Sequence, residues 1–129
     1  FMMTQALLPL LEVSKDASVI FTSSGVGTQG KAYWGAYCVS KFATEGMAQV
    51  LAQETENTSK IRVNIINPGA TRTSMRAQAF PGEDPALNLT PKEIMPSYQY
   101  LLGPDSVGVT GQRFNAQEMQ KPPKEEAGI

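Results

Sequence analysis

Two short apolar runs, Ser18-Val19-Ile20-Phe21-Thr22 and Ile61-Arg62-Val63-Asn64-Ile65-Ile66, flank a long stretch of helical periodicity. Both are of strand length and rich in β-branched and aromatic residues. Strands joined through a helix cannot form a hairpin. The crossover favours parallel pairing with a right-handed connection. The intervening helix is expected from about Gly35 to Glu56, with Ala36, Val39, Ala43, Met47, Val50 and Leu51 recurring every three or four residues as its apolar face. This pattern places the chain in the α/β class.

The flanking segments extend it. Met3, Leu7, Leu8 and Leu11 have helical spacing, predicting a first helix that ends near Val13 before the Ser14-Lys15-Asp16-Ala17 turn. Ser23 to Trp34 holds three glycines and reads as a loop, and Asn67-Pro68-Gly69 closes the second strand. Thr90-Pro91-Lys92-Glu93 is a helix start, with Thr as cap, Pro in the first turn and Glu three residues on. That helix is expected to reach Leu102, and Thr110 to Ala116 reads as a last short strand. Residues 1–116 then form one unit and 117–129 a polar tail containing Lys121-Pro122-Pro123-Lys124-Glu125-Glu126. About three strands are too few for a complete doubly wound domain. They leave open edges and an uncovered face, so part of a sheet is expected to lie upstream.

Composition narrows the chemistry. Eleven basic and twelve acidic side chains leave a net charge of −1, which disfavours nucleic acid as the main partner. The absence of histidine rules out Ser-His-Asp and Cys-His nucleophile systems, and no metal site is expected. One cysteine, Cys38, permits no internal disulfide; it reads as a small buried hydrophobe. No apolar run approaches the ~20 residues that span a bilayer, and Phe1-Met2-Met3-Thr4-Gln5 lacks the pattern of a secretory signal. A cytoplasmic location without membrane contact is expected. Acid–base chemistry falls to Tyr, Lys, Asp or Glu.

Tyr37 and Lys41 stand four apart at the start of the long helix, on one face. An ammonium near a phenol favours its ionised form, which makes the ring oxygen a usable proton donor and acceptor. Ser24 lies thirteen residues before Tyr37, at a strand end, where α/β sheets place ligands. Taken singly, each feature has a bland alternative: an interfacial Tyr, a solvated Lys, a turn-forming Ser.

Together they occur in a recognisable order: Val19-Ile20-Phe21-Thr22-Ser23-Ser24, Tyr37-Cys38-Val39-Ser40-Lys41, Ile61-Arg62-Val63-Asn64, then Asn67-Pro68-Gly69 with Thr73. In this the chain resembles the C-terminal half of a short-chain dehydrogenase/reductase. Trp34-Gly35-Ala36-Tyr37, Lys41 to Met47 and Thr71-Arg72-Thr73 resemble the bacterial YciK-type subgroup. The resemblance implies a Rossmann-like doubly wound parallel sheet whose N-terminal half is absent here. It implies hydride exchange between NADP or NAD and a small-molecule carbonyl or alcohol. Tyr37 matches the general acid/base, Lys41 the lysine that assists it and holds the nicotinamide ribose, and Ser24 the serine that orients the substrate oxygen. Tyr37, Lys41, Pro68, Gly69 and Thr73 match cofactor contacts. The helix carrying Tyr37 and Lys41 matches a homodimer or homotetramer face, and a close helix approach there would explain Gly46.

The family's Gly-rich phosphate loop and catalytic asparagine would lie upstream. Gly25-Val26-Gly27 and Gly30 do not open a helix and read as a loop beside Ser24. The chain alone is therefore expected to be inactive. A non-catalytic scaffold of the same fold is the alternative, and epimerisation or enoyl reduction a further one. Ser23 reads as structural and Asn67 as a turn former. Arg72 and Arg76 read as a solvated pair, with contacts to cofactor phosphate or an acidic substrate as the alternative. Thr73 to Leu102 reads as a variable substrate lid, with Met75 and Met95 as candidate linings.

Overall fold

In the computed structural model, which describes residues 1–119, the strand and helix signals resolve into a three-stranded parallel sheet of order β1-β2-β3. The elements are α1 (Met2–Val13), β1 (Ser18–Thr22), α2 (Gly35–Glu56), β2 (Arg62–Asn67), α3 (Ser74–Ala79), α4 (Pro91–Leu102) and β3 (Arg113–Asn115). Ser18 pairs with Arg62 and Thr22 with Ile66; Ile65 pairs with Arg113 and Asn67 with Asn115. β2 begins one residue later than expected and takes in Asn67; β3 is confined to three residues of the expected span. Of the polar tail expected over 117–129, the part from 120 onward lies outside the described residues.

Alternation along β2 divides the core in two. One cluster gathers Ala17, Leu51, Ala52, Ile61 and Val63, with Leu8 and Leu11 of α1 packed against it. On the other face Ile66, Ile94, Leu101 and Ala116 meet, with Ile20 and Phe114 beside them. Helices thus cover both faces of the central strand, which buries Val63, Ile65 and Ile66. Its two buried polar members, Arg62 and Asn64, are paired. Asn64 donates to the Val109 carbonyl (2.8 Å) and accepts from the Gln112 amide (3.1 Å), pinning the segment that leads into β3. Buried Arg62 is ion-paired with Asp16 and donates to the Gly103 carbonyl. α4 carries the full capping box that its sequence predicts, Thr90 and Glu93 each satisfying the other's backbone amide.

The face that α2 buries keeps Leu51 of the expected one and otherwise differs from it. Glu45, Ala48, Leu51, Ala52 and Thr55 turn inward, whereas Val39 (70% exposed) and Val50 (57%) point away from the sheet. The small side chains Ala48 and Ala52 let the helix sit close to β2. The larger apolar residues form a second stripe with no partner among the described residues. Gly46 lies on that outer side, and a Cβ there would meet nothing within 4 Å, so no close helix approach among the described residues explains it.

Leu101 is fully buried among Ile66, Ile94 and Ala116. Leu101→Ala removes well-packed methyls and is expected to cost about 2–5 kcal/mol, read as a lower denaturation midpoint at unchanged slope.

Candidate active site

Parallel pairing sets the C-terminal ends of β1 and β2 side by side, the edge where open α/β sheets bind ligands. β1 ends at Thr22 and leads into Ser23-Ser24; β2 ends at Asn67 and leads into Pro68-Gly69. The first turns of α2 bring Tyr37 and Lys41 to the same edge. Lys41 joins the parts: its Nζ donates to the Thr22 carbonyl (3.2 Å) and lies 5.6 Å from the centre of the Tyr37 ring. Tyr37 remains 42% exposed, its ring edge-on to Trp34 at 5.8 Å. Ser24 Oγ accepts from the Val26 amide and so starts the single 3-10 turn Gly25–Gly27. No helix opens there, in line with a loop and not a phosphate-binding turn.

That turn is seated tightly on α2. Cys38 is half-buried and its Sγ donates to the Val26 carbonyl (3.2 Å), a weak packing contact. Gly27 touches the helix so closely that a Cβ would fall 2.4 Å from Ser23 Oγ and 3.3 Å from the Lys41 carbonyl. Ser23 is buried and its backbone amide extends the ladder to the Ile66 carbonyl, a structural place as expected.

The loop after β2 is held by contacts that sequence reading did not anticipate. Asn67 Oδ1 accepts from the Gly69 amide (3.0 Å), the turn expected of it. Gly69 has φ +73°, which excludes most side chains. Gln117 Nε2 donates to the carbonyls of Pro68 (3.2 Å) and Ala70 (2.9 Å), and a Cβ on Gly69 would lie 2.7 Å from that nitrogen. Gln117 had been assigned to the polar tail; no local pattern distinguishes it, because its partners lie almost fifty residues away. Thr73 Oγ1 accepts from the Arg76 amide (3.1 Å) and caps α3, so part of its hydrogen-bonding capacity is committed.

Arg72 and Arg76 are not a solvated pair. Arg72 donates to the carbonyls of Pro85 (2.9 Å), Ala86 and Asn88. Arg76 makes a two-pronged bond to Glu83 (2.8 and 2.9 Å), with its guanidinium 3.7 Å from the centre of the Phe80 ring. Both close the 73–89 segment on itself. Planar forks can satisfy clustered carbonyls and a carboxylate at once. Of the candidate linings, Met75 is largely exposed and Met95 partly so.

Bonds from Arg76 and then Asn88 hold the Glu83 carboxyl down to about 2. A lowered value means that this latch contributes fully above the ordinary pKa of 4.5 and is lost as pH falls through about 2. A carboxyl NMR titration is expected to put Glu83 near 2 and to find it raised in Arg76→Met; a wild-type midpoint in the ordinary range contradicts the latch.

The short chain dehydrogenase family profile matches residues 1–84. A protein described as an uncharacterized oxidoreductase, YciK of Escherichia coli (strain K12), is 61% identical over 122 residues, covering 95% of this chain and 48% of its own length. A short chain dehydrogenase from Salmonella enterica serovar Typhi CT18 superposes with a TM-score of 0.88 at 63% identity, covering 91% of this chain and 48% of that one. One from Shigella flexneri 2a, solved as a complex with NADP, gives 0.86 at 62%, with the same coverages. The chain belongs to the short-chain dehydrogenase/reductase family and is similar to its YciK-type members. It spans about half the length of the relatives it matches. Among the described residues no helix is long and apolar enough to cross a membrane.

Proposed function

We propose that this chain is the C-terminal, proton-transferring half of a nicotinamide-dependent oxidoreductase domain acting on a carbonyl or alcohol. The observation that carries it is the place of Lys41, which reaches the strand end next to Ser24 and lies against the Tyr37 ring. In the loop Asn67-Pro68-Gly69 the place of a Gly69 side chain is filled by the Gln117 amide, which takes up the Pro68 and Ala70 carbonyls and holds the loop at the strand end. NADP is the favoured cofactor, in line with the Shigella flexneri relative's complex.

A bound nicotinamide supplies the hydride. Tyr37 gives its phenolic proton to the carbonyl oxygen in reduction and takes the alcohol proton in oxidation, so that C=O becomes CH–OH with atoms and charge balanced. Lys41 steadies the charge that develops on the phenol and holds the ribose. Ser24 Oγ orients the substrate oxygen. Pro68, Gly69 and Thr73 line the cofactor's side of the cleft.

No Gly-rich strand-to-helix turn occurs in these residues, so pyrophosphate has no cradle here and the 129 residues alone are inactive. The outward stripe Val39, Phe42 and Val50, with Gly46 among them, supports a homodimer or homotetramer face on α2. The protein works in the cytoplasm. Residues 1–116 form the catalytic part, and the tail of 117–129 contributes Gln117, which clamps the cofactor loop.

In the complete protein Tyr37→Phe is expected to lower kcat about 10²–10⁴-fold with the fold intact, measured as NADPH oxidation over a carbonyl panel. Near wild-type turnover overturns the mechanism, whereas a wild type that reduces nothing on the panel leaves a non-catalytic scaffold as the reading. Lys41→Met is expected to weaken both NADPH binding and rate; a change confined to substrate KM contradicts the ribose role.

A further inference from the structure

We propose that Arg113 is the positioning residue of this site: one guanidinium holds the helix of Tyr37 and Lys41, the Ser24 turn and the Asn67-Pro68-Gly69 loop in mutual register. The inference rests on the reading of Ser24, Tyr37 and Lys41 given above. Arg113 opens β3, far from any motif in sequence. Its Nε donates to Glu45 Oε1 (2.6 Å), Nη2 to the Ser24 carbonyl (3.0 Å) and Nη1 to Asn115 Oδ1 (3.2 Å). Asn115 Oδ1 also accepts from Asn67 Nδ2 (3.3 Å), and Asn67 Oδ1 takes the Gly69 amide. A continuous polar chain therefore runs from α2 through β3 to both ligand-side loops.

Several features make this more than an ion pair between a helix and a strand. Glu45 lies four residues after Lys41 and eight after Tyr37, on one stripe of α2. Its side chain is only 5% exposed, so its carboxylate demands a partner. With Arg113 in place Glu45 is satisfied, and Lys41 is left to the Thr22 carbonyl and the phenol. Without it, Glu45 has Lys41 one turn away as an alternative cation, and pairing there draws the ammonium off the site. The Ser24 carbonyl accepts from the Gly27 amide (3.0 Å) as well as from Arg113. Gly27 leaves no slack, since a Cβ there would sit 3.2 Å from Glu45 Cδ. Three acceptors in three directions suit a planar fork and not the point charge of lysine.

The test is Arg113→Lys in the complete protein with NADPH bound. It combines thermal unfolding, hydrogen–deuterium exchange, and steady-state reduction of 9,10-phenanthrenequinone. Exchange is expected to rise about tenfold in both 22–28 and 67–71, with kcat down about tenfold or more, KM within about twofold and the melting temperature little changed; an ångström of misplacement is enough for such a loss. The charge swap Glu45→Arg with Arg113→Glu separates positioning from stability. It restores the tie between α2 and β3, but a carboxylate cannot donate to the Ser24 carbonyl. A melting temperature near the wild-type value, with kcat and exchange protection at 22–28 still lost, is expected, and this variant decides the matter if Arg113→Lys fails to fold. Unchanged exchange in both segments of Arg113→Lys, or full recovery of kcat in the swap, overturns the proposal. Tyr37→Phe measured alongside keeps the two readings apart. An active Tyr37→Phe sinks the site itself, whereas an inactive one beside a wild-type-like Arg113→Lys sinks only the positioning role.

Discussion

Parallel pairing of β1 with β2 is the constraint on which the rest of this structure depends. It forces the chain across the sheet through α2, and it sets Thr22 beside Ile66 so that two loops leave the same edge. A helix that must return along the sheet starts where the first strand stops. Its first turns therefore stand over the strand end, and Lys41 can reach the Thr22 carbonyl at 3.2 Å. Had the strands paired in a hairpin, Ser24 and Asn67 would lie at opposite ends of the sheet and no single cleft would serve both.

The same constraint creates an electrostatic problem that the chain settles locally. Ligand-side loops carry backbone groups and polar side chains into a region partly closed to water, and each needs a partner. Asn64, Asn67, Asn115, Arg113, Glu45 and Gln117 supply them, largely across more than forty residues of sequence. These bonds stiffen the loops at Ser24 and Gly69, the two places where a reacting oxygen and a cofactor ring would have to be met. The 73–89 segment, by contrast, closes mainly on itself through Arg72, Arg76 and Glu83. Phe80 ties it to the rim, its ring 5.9 Å from that of Trp34.

Local signals made much of the fold legible. β-branched runs fixed β1 to the residue, the capping pattern at Thr90 located α4, and the helical periodicity from Ala36 on opened α2 where expected. The places of the candidate site residues were equally readable, because Ser24, Tyr37, Lys41 and Gly69 sit at spacings set by one strand end, one helix face and one turn. What escaped was whatever depends on a distant partner. The buried stripe of α2 differs from the expected one because Val39 and Val50 look like core residues, while Glu45 and Thr55 look like surface; Arg113 across the sheet makes a buried Glu45 tolerable. Gln117 looked like tail and Arg76 like a solvated cation for the same reason: neither carries a mark of its partner in the neighbouring sequence.

The most direct test of the central claim is a crystal structure of the complete protein with NADPH and a carbonyl inhibitor bound. Tyr37 Oη and Ser24 Oγ should both lie within about 2.6–3.2 Å of the inhibitor's carbonyl oxygen, with Lys41 Nζ against the nicotinamide ribose. Hydroxyls directed to separate surfaces, or a nicotinamide bound away from Pro68 and Gly69, would contradict the account.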